Sequence, residues 1–186
     1  MILNIAGCIK RSRVNGVGER FVLWVQGCPH SCPGCFNPSM QPFTEKTLVS
    51  VEYMAKIILC IQGICGVTFS GGEPFFQAAP LAALSGMIRK NGLNVITYTG
   101  YTMEEIRKAG NPEWNALISE TDLLIDGLYI EELKGDFYLR GSSNQTLRFL
   151  TDRLKHHPDL ENKRGSEAEA IITPQGEVCF TGIWKG

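Results

Sequence analysis

Short apolar runs recur along this chain, and each predicts a β-strand. They occupy residues 21–25, 67–69, 95–98, 123–125 and 147–150. Nearly continuous apolar runs of this length are typical of strands that are buried on both faces, as in a parallel sheet. Near the end of the chain, residues 170–173 and 177–180 flank Pro174-Gln175-Gly176, and this arrangement predicts a β-hairpin.

The segments between these runs carry the hydrophobic period of amphipathic helices. Apolar residues stand at positions 51, 54, 58 and 61, and again at positions 81, 84 and 88. Spacings of three and four place such residues on one helix face, which can pack against a sheet. Thr102 and Glu105 have the spacing of a capping box, while Thr44 and Thr47 are candidate caps for the first long helix. Asn91-Gly92 predicts the end of the second helix.

The alternation of strands and helices predicts an α/β fold with a mostly parallel sheet. The length of 186 residues is close to that of one typical domain, so we expect a single domain over residues 1–186. A closed barrel of eight strand–helix units usually needs ~250 residues, so this chain has room for about six units.

Composition narrows the classes of protein that fit this chain. Apolar residues make up 44% of it, and 18 basic residues against 19 acidic ones give a net charge of −1. This balance argues against intrinsic disorder and against general binding of polyanions such as nucleic acid. Lys10, Arg11 and Arg13 form a local basic patch whose role the sequence leaves open. No apolar run approaches the ~20 residues that span a bilayer, and the N-terminus does not resemble a signal peptide, so we expect a cytoplasmic protein.

Three of the seven cysteines form a C-x3-C-x2-C run directly after the first predicted strand. They are Cys28, Cys32 and Cys35. An odd number of cysteines, three of them on one loop, does not suit a disulfide framework. Three thiolates on a short loop can instead converge on one soft metal centre. The run therefore predicts a metal site.

The spacing alone leaves the kind of metal site open. Structural zinc takes four ligands, commonly as two separated pairs, and Cys60 and Cys65 offer only a loose second pair. An iron–sulfur cube normally takes four thiolates, so three would leave one iron open for chemistry. We interpret His30 as a packing or hydrogen-bonding residue, because a ligand there would block that iron. The other cysteines are expected to be small buried apolar residues: Cys8, Cys60, Cys65 and Cys179.

A glycine-rich turn, Ser70-Gly71-Gly72-Glu73-Pro74, follows the second predicted strand. Two glycines allow a ligand to approach the backbone closely. The carboxyl ends of parallel strands lie at one edge of a sheet, where such folds bind their ligands. We therefore expect the cysteine loop and this turn to face the same cavity.

Together, the cysteine run and Gly71-Gly72-Glu73-Pro74 resemble the two most recognisable motifs of the radical S-adenosylmethionine (SAM) superfamily. Within it, the chain resembles the small activating enzymes of glycyl-radical proteins, in particular those of anaerobic ribonucleotide reductase. The strings that carry this likeness lie at residues 15–20, 27–30, 35–38, 98–102, 124–127 and 140–145. Two positions depart from the common patterns: Gly34 stands where many superfamily members have an aromatic residue, and Val17 where proline is more usual.

The resemblance implies a fold, two cofactors and a set of binding residues. The fold is a partial, open (β/α)6 barrel similar to a TIM barrel. Cys28, Cys32 and Cys35 would ligate a [4Fe–4S] cluster whose fourth iron is open to SAM. Gly71, Gly72 and Glu73 match the motif that contacts the methionine amino group of SAM. Further candidates for SAM binding are Asn37, Thr97, Thr99 and Asp126.

Each of these further candidates also has a structural interpretation. Thr97 and Thr99 can pair across strands, Asp126-Gly127 is a turn signal, and Asn37 can hydrogen-bond a nearby backbone group. The polar segment 140–145 either satisfies loop backbone groups or contacts SAM or a partner. The sequence leaves these alternatives open.

The activity implied by the resemblance is that of a radical SAM oxidoreductase. One electron from a flavodoxin- or ferredoxin-type reductant cleaves SAM to methionine and a 5′-deoxyadenosyl radical. That radical removes a hydrogen atom from a glycine of a large partner protein, expected to be anaerobic ribonucleoside-triphosphate reductase. The alternatives are a radical SAM enzyme acting on another glycyl-radical enzyme, a small molecule or a peptide, and a metal-binding module without catalysis. No membrane and no nucleic acid are expected as partners.

Overall fold

A seven-stranded mixed sheet organises the chain. The computed structural model describes residues 1–162, 165–172, 176 and 178–183. The strands of the sheet are β1 (Ile2–Ser12), β2 (Arg20–Val25), β3 (Thr47–Ser50), β4 (Gly66–Gly71), β5 (Asn94–Tyr98), β6 (Leu123–Asp126) and β9 (Thr146–Phe149). Across the sheet they lie in the order β3-β1-β2-β4-β5-β6-β9. Two separate hairpins are formed by β7 (Lys134–Phe137) with β8 (Arg140–Ser142), and by β10 (Ala168–Ile172) with β11 (Val178–Gly182).

The four central strands, β2, β4, β5 and β6, are parallel to one another. Helices connect them: α1 (Val51–Leu59), α2 (Ala78–Lys90), and the pair α3 (Met103–Ala109) and α4 (Pro112–Ser119). The outer strands β1, β3 and β9 pair antiparallel with their neighbours. The predicted α/β class with a large sheet that is parallel at its centre is confirmed. The last predicted run is a strand, β9, but it is antiparallel because a hairpin and not a helix leads to it from β6.

The first long helix begins later than the candidate caps predict. Ser50 is the N-cap of α1, and its hydroxyl accepts a hydrogen bond from the Tyr53 N–H at 3.1 Å. Thr44 and Thr47 are therefore not caps; Thr47 lies in β3, which pairs with β1. The buried face of α1 carries Val51, Met54, Ala55 and Ile58, whereas Ile61 lies beyond the helix end.

The other predicted helix signals are confirmed. Leu81, Leu84 and Ile88 form the buried face of α2, and Asn91 is its C-cap. Thr102 and Glu105 form the predicted capping box of α3. Within the described part of the chain, no helix is both long and apolar enough to cross a membrane.

Each face of the parallel strands packs against its own hydrophobic core. Alternate residues of β5 show this division, because Val95 packs in the core on the helix side and Ile96 packs in the core on the opposite side. Leu124 and Ile125 of β6 divide in the same way. This alternation decides which side chains can reach a ligand at the carboxyl ends of the strands.

The C-terminal hairpin is confirmed in its pairing: Ala170 lies opposite Phe180, and Ile172 opposite Val178. The turn residues 173–175, and residue 177, lie outside the described residues. Glu169 attaches the hairpin to the end of β1, since its carboxylate accepts hydrogen bonds from the Ser12 hydroxyl at 2.7 Å and the Arg13 N–H at 2.8 Å. The hairpin thereby lies beside the main sheet.

Two of the three residues of the basic patch near the N-terminus are paired within the protein. The side chains of Arg11 and Arg13 both form ion pairs with Glu19. These contacts support the interpretation of the patch as an ordinary solvated surface.

Candidate functional site

A cavity of about 560 Å³ lies at the carboxyl ends of the parallel strands. The cysteine loop after β2 and the glycine-rich turn after β4 both line it. The structure thus brings the two predicted motifs together as expected. The predicted site residues that line the cavity are Cys28, Cys32, Cys35, Asn37, Gly71, Gly72, Glu73 and Thr99.

Backbone hydrogen bonds hold the base of the cysteine loop. The Gly27 N–H donates to the Met40 carbonyl at 2.9 Å, and the Cys28 N–H donates to the Gln41 carbonyl at 2.9 Å. The segment that follows the third cysteine therefore folds back on the start of the loop. Gln26 is buried below it, and its side-chain amide donates to the Pro42 carbonyl at 2.6 Å.

Backbone N–H groups lie beside the three sulfur atoms. The Asn37 N–H donates to Cys35 Sγ at 3.4 Å. The backbone N–H of His30 contacts the Cys28 thiol, and that of Tyr129 contacts the Cys32 thiol. Hydrogen bonds of this kind favour the thiolate form, which is the form that binds metals.

Burial acts in the opposite direction on two of these thiols. Burial raises the pKa of the Cys28 thiol to about 11, and burial together with the nearby Cys35 raises the pKa of Cys32. The Cys28 and Cys32 thiols are therefore neutral at pH 7 without a metal, so a bound metal must displace their protons.

The donor set suits an iron–sulfur cluster. Among the described residues, no group of three His, Cys, Asp or Glu side chains is arranged around the position of a single ion. The three thiols nevertheless share one cavity, and soft thiolates are the ligands that iron–sulfur clusters prefer.

Gly71 and Gly72 allow β4 and the cysteine loop to approach closely. A Cβ on Gly71, whose φ is +103°, would lie 2.7 Å from backbone atoms of Val25, and one on Gly72 would lie 2.3 Å from the Gly27 carbonyl oxygen. The Gly72 N–H donates to the Val25 carbonyl, and the Glu73 N–H to the Gly27 carbonyl, both at 2.8 Å. Their lack of side chains thus serves contact between the two loops as well as access to the cavity.

Glu73 is almost fully buried, with 1% of its surface exposed. Its carboxylate accepts hydrogen bonds from the Phe75 N–H, the Thr99 hydroxyl and the Gly100 N–H, each at 2.9 Å. His30 Nε2 lies 3.2 Å from Glu73 Oε2, outside hydrogen-bond geometry. Glu73 therefore connects three segments: the glycine-rich turn, the segment after β5 and the cysteine loop.

The Asn37 side chain has no hydrogen-bond partner among the described residues, although Asn37 precedes a 3-10 helix at Pro38–Met40 as its N-cap. It lines the cavity with its amide available. Thr99 also lines the cavity, but its hydroxyl already donates to Glu73 and accepts from the Tyr101 N–H at 3.1 Å. Asn37 is thus the candidate whose side chain has no partner in the part of the chain that the structure describes.

Thr97 and Asp126 do not line the cavity. The Thr97 hydroxyl is buried on the helix side of the sheet, 2.9 Å from the Thr121 hydroxyl. Asp126 Oδ2 accepts from the Met103 N–H at the start of α3 and from Arg148 Nε, both at 2.8 Å. The expectation that these two side chains contact SAM has no support from the cavity lining, because strand alternation directs both toward the helices.

Segment 140–145 mainly satisfies backbone groups. Gln145 Oε1 accepts from the Gly141 N–H at 2.8 Å, and its amide donates to the Gly127 carbonyl at 3.0 Å. Asn144 donates to the Leu128 carbonyl at 2.7 Å. These contacts hold the loop after β6, part of which lines the cavity. Gly141 and Gln145 also line the cavity, so contact of this segment with SAM or a partner stays a prediction beside its structural role.

The other cysteines differ from the prediction. Cys8 and Cys60 are exposed, and Cys65 is half-buried with its thiol donating to the Glu19 carbonyl at 3.1 Å. The interpretation of Cys8 and Cys60 as buried apolar residues is wrong, because Cys8 lies at the cavity wall and Cys60 lies just after α1. The Cys179 side chain lies outside the described residues.

Sequence reasoning missed part of the cavity wall. Trp24, Met40 and Tyr129 line it, as do residues 180–183 of the C-terminal hairpin. The sequence contained a signal for Trp24, because alternation along β2 directs its side chain away from the core on the helix side. Leu23 and Val25 pack in that core. The position of the hairpin had no local signal, because it depends on contacts between distant segments.

Comparisons with known proteins find one matching family model and several curated relatives that share one name. The model of the 4Fe-4S single cluster domain matches residues 14–148. The chain is 35% identical over 152 residues to the anaerobic ribonucleoside-triphosphate reductase-activating protein of Salmonella typhi, covering 74% of this chain and 92% of that protein. The proteins of the same name from Escherichia coli K12 and from phage T4 are 33% and 30% identical, covering 74% and 77% of this chain and 92% of each relative. The solved structure of QueE from Escherichia coli matches with a TM-score of 0.44 and 23% identity, over 55% of this chain and 54% of that chain.

Proposed function

The chain belongs to the family of anaerobic ribonucleoside-triphosphate reductase-activating proteins, with a 4Fe-4S single cluster domain, and we propose that it activates such a reductase by radical SAM chemistry. It is an oxidoreductase that installs a glycyl radical on its partner protein. The observation that carries the proposal is the shared cavity, in which three thiols of one loop face the glycine-rich turn of the next parallel strand.

Cys28, Cys32 and Cys35 would hold the [4Fe–4S] cluster. Support comes from their shared cavity and from the backbone N–H groups directed at their sulfur atoms. When bound, the cluster and SAM supply one electron and the cleavage of the sulfonium C–S bond that yields the 5′-deoxyadenosyl radical. The protein's part is to place these groups and to exclude water from them.

SAM would lie across the edge formed by the two motif loops. Gly71 and Gly72 provide backbone close to the cluster loop, and Thr99 follows the next parallel strand. Asn37, at the end of the cysteine loop, offers an amide that no described residue engages. We assign the adenine side of SAM to Asn37 and the methionine side to the glycine-rich turn.

The partner would be a large glycyl-radical subunit, with anaerobic ribonucleoside-triphosphate reductase as its expected identity. The names of the relatives support this assignment. The reductant is proposed to be of the flavodoxin or ferredoxin type and the compartment to be the cytoplasm, as the sequence predicts. We further propose that the sheet belongs to an open (β/α)6 barrel built as one domain over residues 1–186, for which its three strand–helix crossovers are the support.

The test is an anaerobic assay of SAM cleavage. The protein is reconstituted with iron and sulfide, reduced with dithionite and given SAM, and 5′-deoxyadenosine is quantified beside a Cys32→Ala control. The reaction is repeated with an anaerobic ribonucleoside-triphosphate reductase, and the glycyl radical is sought by electron paramagnetic resonance (EPR).

Cleavage that needs Cys32, together with a glycyl radical on the reductase, is the expected result. Cleavage without a radical on that reductase would support a different glycyl-radical enzyme, small molecule or peptide as substrate. A verified, reducible cluster that cleaves no SAM with or without the reductase would favour a metal-binding module without catalysis.

A further inference from the structure

Every acceptor position of the Glu73 carboxylate faces a protein group. A carboxylate has about four lone-pair positions. Oε1 accepts from the Phe75 N–H and the Thr99 hydroxyl, while Oε2 accepts from the Gly100 N–H and lies 3.2 Å from His30 Nε2. With 1% of its surface exposed, Glu73 has little room for a further partner from a ligand. Its environment is that of a buried polar link whose contacts are all within the protein.

His30 is the part of this link that belongs to the cysteine loop. Its ring packs edge-on against Tyr101, with ring centroids 4.5 Å apart. A Cβ on Gly100 would stand 2.6 Å from His30 Cδ2, so the ring fits closely against the backbone after β5. Nε2 is buried and has no hydrogen bond among the described residues, and the Glu73 carboxylate is the charged group beside it. The ring thus holds the loop between two cluster ligands against the segment 99–101.

We propose that Glu73 is a positioning residue and not a ligand of SAM. It fixes the distance between the cysteine loop, through His30, and the segment after β5, through Thr99 and Gly100. This inference rests on the proposed function, because it states how the cluster loop and the SAM pocket are held in register. Reacting groups that are misplaced by a fraction of an ångström lose much of their rate advantage, which makes such a link necessary.

Two roles for Glu73 predict different properties of the protein without SAM. A residue that only contacts SAM leaves the cluster unchanged until SAM is added. A residue that acts through His30 affects the cysteine loop, and hence the cluster, whether or not SAM is present. The EPR spectrum of the reduced, SAM-free cluster therefore distinguishes the two roles.

Three variants of the full chain test the link: Glu73→Gln, His30→Phe and the double variant. Glu73→Gln keeps the shape but turns an N–H₂ group toward groups that are themselves donors. His30→Phe keeps the ring contact with Tyr101 and removes Nε2. Iron content, the EPR spectrum of the dithionite-reduced cluster without SAM, and the KM and kcat of SAM cleavage are measured for each. His30→Gln, which restores a donor, serves as the matched rescue variant.

We expect all variants to retain wild-type iron content, because the ligands are untouched. Glu73→Gln and His30→Phe should change the SAM-free spectrum in the same way and raise KM about tenfold, because either change removes the contact between Nε2 and the carboxylate and lets the cysteine loop shift relative to the segment after β5. The double variant should be no worse than either single one within about twofold, because both changes break the same link. His30→Gln should recover most of the loss.

The opposite pattern would overturn the inference. An unchanged SAM-free spectrum in Glu73→Gln, with KM effects that multiply in the double variant, would place Glu73 in direct contact with SAM. If Glu73→Gln fails to fold, the SAM-free spectra and KM values of His30→Phe and His30→Gln are compared, which tests the link from its His30 side. If the wild type holds a cluster but cleaves no SAM, the proposed function fails, and the SAM-free spectra still decide the role of Glu73.

Discussion

Gly72 lies directly against the backbone of Gly27, and a Cβ on Gly72 would stand 2.3 Å from the Gly27 carbonyl oxygen. The same carbonyl accepts a hydrogen bond from the Glu73 N–H at 2.8 Å. The glycine-rich turn and the base of the cysteine loop are therefore one packed unit, although they lie far apart in the sequence. A displacement of the glycine-rich turn therefore also displaces the base of the cysteine loop.

Gly72→Ala should separate these two loops. The added methyl group meets backbone atoms of Gly27 and Met40, which cannot move away as a flexible side chain would. We expect the free energy of unfolding to fall by about 2 kcal/mol or more, as for overpacking of a core, and SAM cleavage to fall with it. Urea denaturation of the metal-free protein and the 5′-deoxyadenosine assay measure the two effects.

Gly86→Ala is the matched control for that experiment. Gly86 lies in α2, where an added Cβ meets only the Glu120 carboxylate at 3.9 Å. Alanine is the better helix former, so this variant should be unchanged or more stable by about 0.5–1 kcal/mol. Equal stability of Gly72→Ala and wild type would contradict the packing described for the two loops.

The cluster ligands are tested by single substitutions. Cys28→Ser, Cys32→Ser and Cys35→Ser should each lose most of the iron, of which we expect about four per chain in the wild type. Cys8→Ser is the sharp control, because Cys8 also lines the cavity yet lies on β1 and outside the loop. Anaerobic reconstitution followed by iron and sulfide analysis gives the answer. Loss of iron from Cys8→Ser would indicate that Cys8 is a further cluster ligand outside the cysteine motif.

The sequence predicted the parallel centre of the sheet because strands buried on both faces are continuous apolar runs. It missed β1 and β3 because their pattern is mixed: in β1, Leu3 and Ile5 are buried whereas Ile2 and Cys8 are exposed. Strands with one partly solvated face lack the strong signal of strands that are buried on both faces. The hairpin β7–β8 was missed for the same reason.

The sequence predicted the site residues that belong to local motifs. It predicted less well the residues whose position depends on where a strand ends. Thr97 and Thr99 are two residues apart, so strict alternation places both on one face. However, β5 ends at Tyr98, and the Thr99 N–H donates to the Ile125 carbonyl as the chain leaves the strand. Thr99 therefore reaches the cavity, whereas Thr97 stays on the helix side. The exact end of a strand is not encoded in the apolar pattern.

Asp126→Asn should affect stability and not SAM binding. The Asp126 carboxylate accepts from the first N–H of α3 and from Arg148, and it lies away from the cavity. We expect the free energy of unfolding to fall by about 1–3 kcal/mol, because a hydrogen-bonded and nearly buried charge is lost. Urea denaturation checks this, and the KM for SAM should change by less than about twofold.

Asp152→Asn provides the comparison. The Asp152 side chain is 91% exposed and, over the described residues, pairs only with Lys155 at 3.6 Å. Such a surface pair contributes little, so stability should stay within about 0.5 kcal/mol of wild type. A raised KM with unchanged stability in Asp126→Asn would return Asp126 to the set of SAM-binding residues.

Asn37→Ala and Asn111→Ala should have opposite effects, because the two asparagines use their side chains differently. Asn111 caps α4 by accepting from the Glu113 N–H at 2.8 Å, so its loss should cost about 1 kcal/mol of stability with little change in KM. Asn37 precedes a 3-10 helix without capping it and faces the cavity. Its loss should leave the free energy of unfolding within about 0.5 kcal/mol of wild type and raise the KM for SAM about five- to tenfold, as the loss of one hydrogen bond predicts.

Thermal unfolding and SAM-cleavage kinetics of both variants separate these effects. If Asn37→Ala lowers stability as Asn111→Ala does and leaves KM unchanged, the Asn37 amide supports the loop, and the adenine of SAM must be recognised by other residues of the cavity wall.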